Sequence, residues 1–509
     1  MSTSTKKKIL QGSAANLLQV ALSFGISLIV PPFLVHHMQQ AEYSAWVLIL
    51  QISAYINYLE VGLQTAIGKY VAEFNAAGDA QSCARVAGTA FSLLSIGAAL
   101  GITVTGVLAW LLPLIFHQVP AGIIGPMRLG VLAIGITTAL MLPFMVMQAV
   151  FVGLQRYGIP ALISSISRVG TAVGIIVLLL LHGGLAELAL LMACFNLATI
   201  AAQWYCWKQF ANTEVPLRIF TFDRGAARRL LEYCSVLSIW TIGILLISGL
   251  DTVIVGRYDF HNTGFYGIAG SATNFMLLIV GSALGPLMPA ISSVQGQRTP
   301  KQLGALLVQA TRYCTLMLMV LGIPLLVAGF PILRIWLGPV YANGSVRFLI
   351  VLVLANIIRE LGYPYALMVV ATGSQRLATI SPIVEGLVNL GASLLLVRMA
   401  GAIGVAYGTL IGAVVGFCIH LLVSMRLTMP VIALNRLKLL IEGVLRPGLC
   451  ALPSLVVLPW LHCRALLPLP LPVFLLWALT TLAIAWAAGL TLDERQKLLT
   501  RARATIVRA

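Results

Sequence analysis

Six ionisable residues lie inside or at the end of long apolar stretches of the sequence, where charges are rare. They are Glu60, Arg168, Asp251, Arg359, Glu360 and Glu385. A charged side chain that faces lipid is costly, so such groups usually face the interior of a helix bundle or a wet cavity. We therefore expect them to line a polar cavity that receives a charged, hydrated ligand. The alternative is an ion pair that only fixes helix packing, for example Arg359 with Glu385.

Uncharged polar residues add a second signal in the first two apolar stretches. The first stretch carries Asn16, Gln19, Ser23 and Ser27 at helical spacing, so they share one face of a helix. The second carries Gln51, Ser53, Tyr55, Asn57 and Tyr58. Both stretches are expected to be walls of a water-accessible path, although hydrogen bonds between helices would use the same residues. The predicted substrate-binding residues are therefore Arg168, Arg359, Asn16, Gln19 and Asn57.

The sequence contains no convincing catalytic or metal-binding pattern. The run from Gly62 to Lys69 resembles a phosphate-binding loop, but five residues separate its glycines instead of four. The seven histidines have no metal-ligand spacing, and the eight cysteines include no CxxC pair. We expect no enzymatic activity, no cofactor and no metal. Directional transport would then need an H⁺ or Na⁺ gradient or consumption of the product. The candidate coupling residues are Asp251, Glu385, Glu360 and Glu60.

Composition identifies the class of protein. Of 509 residues, 60% are hydrophobic and only 9% are charged, against roughly a quarter charged in soluble domains. This excludes a soluble or disordered chain and predicts a polytopic, all-α membrane protein. The net charge of +17 would suggest nucleic acid in a soluble domain. Here the basic residues lie mostly in short loops, so no nucleic-acid partner is expected.

Hydropathy predicts about 14 transmembrane helices, each long enough to cross the bilayer. Their approximate ranges are 10–35, 43–67, 86–114, 128–152, 159–181, 187–207, 233–256, 265–290, 304–330, 346–371, 377–398, 402–425, 446–461 and 468–490. With both termini cytoplasmic, 24 of the 32 Lys and Arg residues lie on the cytoplasmic side. This distribution follows the positive-inside rule and predicts that orientation.

An internal repeat appears at an offset of 220 residues. Gly153 and Arg156 align with Gly373 and Arg376, and the pattern of spans and loops coincides. Thr3 aligns with Asp223, so each half is expected to begin with a capped turn. Six spans repeat in the same orientation, which predicts a parallel repeat. The expected domains are 1–210, a linker 211–232, 233–425, and 426–509 with two added helices and a basic tail.

Span 12 carries Gly404, Gly408, Gly412 and Gly416 at every fourth position. Such a stripe of small residues lets another helix approach closely. It is typical of tight static packing, and a sliding face for a moving helix is the alternative.

Several motifs together resemble the polysaccharide-unit flippases of the O-antigen translocase (Wzx-like) type. In the first half these are Gly12-Ser-Ala-Ala-Asn16-Leu-Leu, Pro32-Phe33-Leu34, Ala41-Glu42-Tyr43-Ser-Ala-Trp46, Tyr58-Leu-Glu60-Val-Gly62-Leu63 and Lys69-Tyr-Val-Ala-Glu73. In the second half they are Leu250-Asp251-Thr-Val-Ile-Val-Gly256 and Gly264-Phe-Tyr266. The resemblance covers nearly the whole chain, and the wider superfamily also includes multidrug exporters and the lipid II flippase.

This resemblance implies two six-helix lobes around a central cavity that work by alternating access in the bacterial inner membrane. The implied cargo is an oligosaccharide on undecaprenyl diphosphate, for O-antigen, capsule or exopolysaccharide synthesis, with a polysaccharide polymerase as a partner. Arg168 and Arg359 would neutralise the anionic head group, because guanidinium matches phosphate geometry. The leading alternative is a cation-coupled, MATE-like multidrug exporter, which would use the acidic residues instead. A non-transporting scaffold is disfavoured by the intramembrane charges.

Overall fold

The computed structural model describes residues 21–60, 62–213, 215–216, 221–292, 299–451, 471–489, 494–496 and 500. These residues form helices joined by short turns, and no strand occurs among them. Eleven of the described helical segments are long and apolar enough to span a membrane. The prediction of an all-α membrane protein is therefore confirmed.

Contacts divide the chain into two compact units. The first unit comprises the chain up to Leu245 together with Gly249–Gly267, and the second comprises Leu246–Ser248 and the chain from Ile268 onward. The helices of the first unit are α1 (Ala21–His37), α2 (Gln40–Ala54), α3 (Leu63–Ala76), α4 (Ala80–Ile115), α5 (Ala121–Gly153), α6 (Gly158–Leu180), α7 (Leu185–Phe210), α8 (Arg224–Ile244) and α9 (Asp251–Tyr258).

Helix α10 (Phe260–Leu284) begins in the first unit and continues into the second. The helices that follow are α11 (Leu287–Ser292), α12 (Pro300–Val327), α13 (Gly329–Leu337), α14 (Pro339–Glu360), α15 (Tyr363–Ala371), α16 (Gln375–Ala378), α17 (Ile380–Ala400), α18 (Ala402–Ile419), α19 (Met425–Leu427), α20 (Arg436–Lys438), α21 (Arg446–Gly448) and α22 (Leu471–Ile484). Several of these helices are extended by a π-helical turn, as at His420–Ser424.

The described helices follow predicted spans 2 to 12 closely. For example, the span predicted at 128–152 is Ala121–Gly153, and that at 402–425 is Ala402–Leu427. The first predicted span is described only from residue 21, as the shorter helix α1. Predicted spans 13 and 14 lie partly outside the described residues. Hydropathy locates these helices well because each must bury about 20 apolar residues in lipid.

Helix starts follow the polar residues that precede them. The Asp79 side chain accepts a hydrogen bond from the Ser82 backbone N–H and caps α4. Hydrogen bonds from the Ser82 side chain and from its backbone N–H lower the pKa of Asp79, which lies in a loop between spans. Asp223 caps α8 by accepting from the Ala226 N–H at 2.6 Å. The capped turn predicted at Asp223 is thus confirmed, and its predicted counterpart at Thr3 lies outside the described residues.

The core of the first unit forms around α5, which packs against α2, α3, α4 and α7. Leu142, Val146 and Met147 of α5 are fully buried in one apolar cluster that also contains Ala66 and Ile67 of α3. A helix that is apolar on all faces belongs at the centre of such a bundle. Both α3 and the polar turn that precedes it, Tyr55–Glu60, pack against α5.

In the second unit, the glycine stripe of α18 lies against α17. A Cβ atom on Gly404 would lie 2.8 Å from the Val397 backbone nitrogen, and one on Gly412 would lie 2.8 Å from Asn389 Cβ. No side chain fits in so small a gap. The stripe therefore provides the close packing of two helices that was expected from its spacing.

Candidate functional site

The second predicted span is broken at the point where its polar residues cluster. Helix α2 ends at Ala54, a 3-10 turn runs over Tyr55–Glu60, and α3 begins at Leu63. Gly62 has a φ of +78°, a backbone conformation that side-chain-bearing residues avoid. The Glu60 Oε1 atom accepts a hydrogen bond from the Gln64 backbone N–H at 2.8 Å. The carboxyl group therefore satisfies one free N–H at the start of α3 and suits the positive end of its dipole.

A cavity of about 400 Å³ opens beside this break. Its described lining residues are Gln51, Ala54, Asn57, Tyr58, Glu60, Gly62, Gln64, Thr65 and Thr241. Most of them carry amide or hydroxyl groups, and Glu60 is the one charged side chain among them. The Gln64 amide also donates to the Gln148 side chain of α5 at 3.3 Å. The structure thus brings together two residues predicted from sequence, Asn57 and Glu60. We call this space the Glu60 cavity.

Next to the cavity, two side chains of the second span donate hydrogen bonds to Gly249, the last residue of a π-helical turn. The Gln51 amide donates to the Gly249 carbonyl at 3.0 Å, and the Tyr55 hydroxyl donates to the same oxygen. Asp251 follows this turn at the start of α9, is buried, and accepts from the Tyr266 hydroxyl at 3.3 Å. Asp251 is not among the lining residues of the Glu60 cavity.

The second unit contains a buried ion pair. The Arg359 Nε atom of α14 lies 2.6 Å from Glu385 Oε1 of α17. Arg359 Nη1 donates to the Asn356 side-chain oxygen at 3.0 Å, while Nη2 is buried with no hydrogen-bond partner among the described residues. Glu385 is only 5% exposed and packs on Gly416 of α18. The ion pair that the sequence offered as an alternative is therefore formed.

The second unit contains further polar groups, and one of them, Glu360, interacts with this pair. Glu360 interacts electrostatically with both Arg359 and Glu385, and its backbone carbonyl accepts a hydrogen bond from the Cys314 thiol at 3.3 Å. The His420 ring stands edge-on to Tyr365, with 5.3 Å between ring centroids. Its Nδ1 atom is buried and has no partner among the described residues. His420 was not predicted, because an isolated histidine at the end of an apolar span carries no spacing signal.

The remaining predicted residues lie elsewhere. Arg168 is exposed near the middle of α6, and its Nη1 atom donates to the Ser23 hydroxyl of α1. Arg168 is not among the described lining residues of the Glu60 cavity. Asn16 and Gln19 lie outside the described residues. Their predicted roles, like those of the other site residues, stay predictions.

Sequence reasoning also missed a buried cation. Arg312 was not among the predicted site residues, and it lies within α12 with 6% of its surface exposed. Its Nη1 atom is 2.9 Å from Glu494 Oε2, and its Nε donates to the Glu442 carbonyl at 3.2 Å. The available signal was the scarcity of acids in the whole sequence, since Glu442 and Glu494 are two of only 15.

Comparisons with known proteins identify the fold. No protein-family model matches the sequence, and neither does any curated protein. The structure is similar to the lipid II flippase MurJ in an inward closed conformation, with a TM-score of 0.69 and 12% identity, covering 94% of this chain and 97% of that one. It is also similar to an inward-facing multidrug resistance MATE transporter of the MOP superfamily, with a TM-score of 0.68 and 14% identity, covering 81% and 94%.

A third similar structure is a MOP superfamily transporter from Pyrococcus furiosus, described as having a binding pocket of reverse polarity. It has a TM-score of 0.54 and 15% identity, and covers 84% of this chain and 96% of that one. The chain therefore has the fold shared by MATE transporters and the lipid II flippase, over 81% to 94% of its length in these comparisons.

Proposed function

We propose that this protein is a flippase for oligosaccharides linked to undecaprenyl diphosphate. It would move such repeat units across the bacterial inner membrane by alternating access, for O-antigen, capsule or exopolysaccharide synthesis. The observation that carries this proposal is the Glu60 cavity, a polar space beside a broken membrane-spanning helix. Its volume lies within the range of about 300–1,000 Å³ that is usual for ligand sites.

The chemistry of the cavity suits a saccharide. Sugar hydroxyls both donate and accept hydrogen bonds, and the side-chain amides of Gln51, Asn57 and Gln64 do the same. A cavity for an apolar drug would instead be lined mainly by aromatic and aliphatic side chains. The fold shared with a lipid II flippase supports this choice of cargo.

The two intramembrane arginines have different roles in this proposal. Arg359 is already neutralised by Glu385 at 2.6 Å, so it has less charge to offer a diphosphate. Arg168 is exposed and has no acidic partner among the described residues, which leaves its charge for an anionic head group. Asn16 and Gln19 would add polar contacts to the cargo.

Energy coupling and a protein partner complete the proposal. An H⁺ or Na⁺ ion at Asp251, Glu385, Glu360 or Glu60 would couple transport to a gradient. A polysaccharide polymerase would be the partner.

Transport by purified protein tests the proposal. Proteoliposomes should accelerate the transfer between leaflets of a fluorescent undecaprenyl-diphosphate oligosaccharide, measured by quenching from outside. Asn57→Ala should slow this transfer, and Glu73→Gln should not, because Glu73 is exposed on α3 away from the cavity. Gradient-driven export of a cationic dye without glycolipid transfer would contradict the proposal and support the MATE-like exporter.

Cysteine labelling tests the proposed orientation. In a cysteine-less background, Asn212→Cys in the linker should be protected from an impermeant thiol reagent added outside, and Asn262→Cys should react. The reason is the distribution of basic residues across the predicted loops. Equal labelling at both positions would contradict cytoplasmic termini and the fourteen-span arrangement.

A further inference from the structure

The charge balance of the Glu60 cavity is unusual for a site that serves an anionic cargo. Among its described lining residues, Glu60 is acidic and none is basic. The next cation along the chain, Lys69, is not a lining residue. Its Nζ atom lies 4.9 Å from the centroid of the Tyr233 ring and 5.3 Å from that of Tyr70. The described part of the cavity therefore offers a carboxyl group without a counter-charge.

The hydrogen bonds of Glu60 leave one of its oxygens available. Oε1 accepts from the Gln64 N–H, whereas no described residue donates to Oε2. A free carboxylate oxygen is a strong acceptor for sugar hydroxyls and for an ammonium group. It repels a second carboxylate or a phosphate, and this repulsion is strong where the surroundings are less polar than water.

We propose that the Glu60 cavity recognises the saccharide part of the cargo, and that it admits neutral and amino sugars while rejecting acidic ones. The diphosphate then binds outside this cavity. This inference rests on the proposed flippase function and names the substrate class that the site accepts. Gln51, Asn57 and Gln64 supply donors and acceptors for hydroxyl and acetamido groups, and Glu60 sets the preference for charge.

Soluble monosaccharides test the preference without transport. The purified full chain in detergent is titrated with D-glucosamine, N-acetyl-D-glucosamine and D-glucuronic acid, and binding is followed by thermophoresis. Glucosamine and N-acetylglucosamine should bind, and glucuronic acid should bind at least about tenfold more weakly. Inorganic diphosphate should not compete with the binding of glucosamine or N-acetylglucosamine. Equal affinity for glucuronic acid, effective competition by diphosphate, or no sugar binding would overturn the proposal.

Variants assign the preference to Glu60. Glu60→Gln should raise the affinity for glucuronic acid to that for N-acetylglucosamine, because the amide oxygen still accepts the Gln64 N–H but carries no charge. Glu73→Gln removes an exposed carboxyl from α3, the helix that follows Glu60, and should change nothing. Asn57→Ala should weaken all three sugars alike, and it provides a second test if Glu60→Gln does not fold. Discrimination that persists in Glu60→Gln would contradict the role of this residue.

The glycolipid assay separates the two proposals. Normal glycolipid transfer by a protein that binds glucuronic acid as well as glucosamine would refute the sugar preference and leave the flippase function intact. Correct sugar discrimination without glycolipid transfer would refute the flippase function and leave a saccharide site.

Discussion

Glu60 and Glu385 are both acids in membrane-spanning stretches, but their surroundings in the two units differ. Glu60 lies at a break in a helix, beside a cavity, with one backbone N–H as its described hydrogen-bond donor. Glu385 lies within the continuous helix α17, is 5% exposed, and has the Arg359 guanidinium at 2.6 Å. Glu60 thus has one carboxyl oxygen without a described hydrogen-bond donor, whereas Glu385 forms an ion pair with an arginine of its own chain.

The difference shows that a charge inside an apolar stretch has at least two physical explanations. A carboxyl group at a helix start is stabilised by free N–H groups and the helix dipole, and it keeps capacity for a ligand. A carboxyl group in mid-helix has no such support and needs a partner charge. The local backbone therefore indicates which acids are available to bind a ligand and which ones hold helices together.

The largest effect should come from breaking the buried pair. Arg359→Gln or Glu385→Gln should lower the free energy of unfolding by about 3–5 kcal/mol, because each leaves a buried charge without its partner. Denaturation of the purified protein measures this loss. Arg398→Gln, at the exposed end of α17, is the matched control and should have little effect. Full stability of both single variants would show that the pair does not hold α14 to α17.

A smaller effect should follow from filling the space against which Glu385 packs. A Cβ on Gly416 would lie 2.8 Å from Glu385 Cδ and 2.9 Å from its Cβ. Gly416→Ala should therefore push the carboxyl group away from Arg359 and destabilise the protein by about 2–3 kcal/mol. The control is Gly391→Ala on α17, where an added Cβ meets nothing within 4 Å. If the two variants are equally stable, the position of Glu385 does not depend on the glycine stripe.

The smallest effect should come from the break that carries Glu60. Gly62→Ala places a side chain at a φ of +78° and should cost about 1 kcal/mol. Gly122→Ala, in an open position near the start of α5, should be neutral or slightly stabilising because alanine favours helix. The two variants are compared in the same denaturation experiment. Stability of Gly62→Ala at or above that of the native protein would mean that α3 starts elsewhere.

Much of the fold could be predicted from the sequence, because each span leaves a long apolar signature. The break at Gly62 could not, since a glycine within an apolar run also fits an unbroken membrane helix. The sequence suggested that Arg359 and Glu385 could form an ion pair. It could not distinguish such a pair from two residues that line a cavity separately. That choice depends on the rotation of α14 and α17 about their axes, which hydropathy does not determine. The burial of Arg312 could not be predicted, because its acidic partners lie 130 and 182 residues away in the sequence.

The hydrogen bond between Glu60 and Gln64 gives the protein a natural spectroscopic reporter. The Gln64 N–H lies in the first turn of α3, where no backbone carbonyl of the helix can accept it, and the Glu60 side chain accepts it instead. Exchange of this amide hydrogen with deuterated solvent therefore requires that the hydrogen bond from the Gln64 N–H to the Glu60 carboxyl group breaks. A single backbone position, read by mass spectrometry or NMR, reports how often that carboxyl group is free.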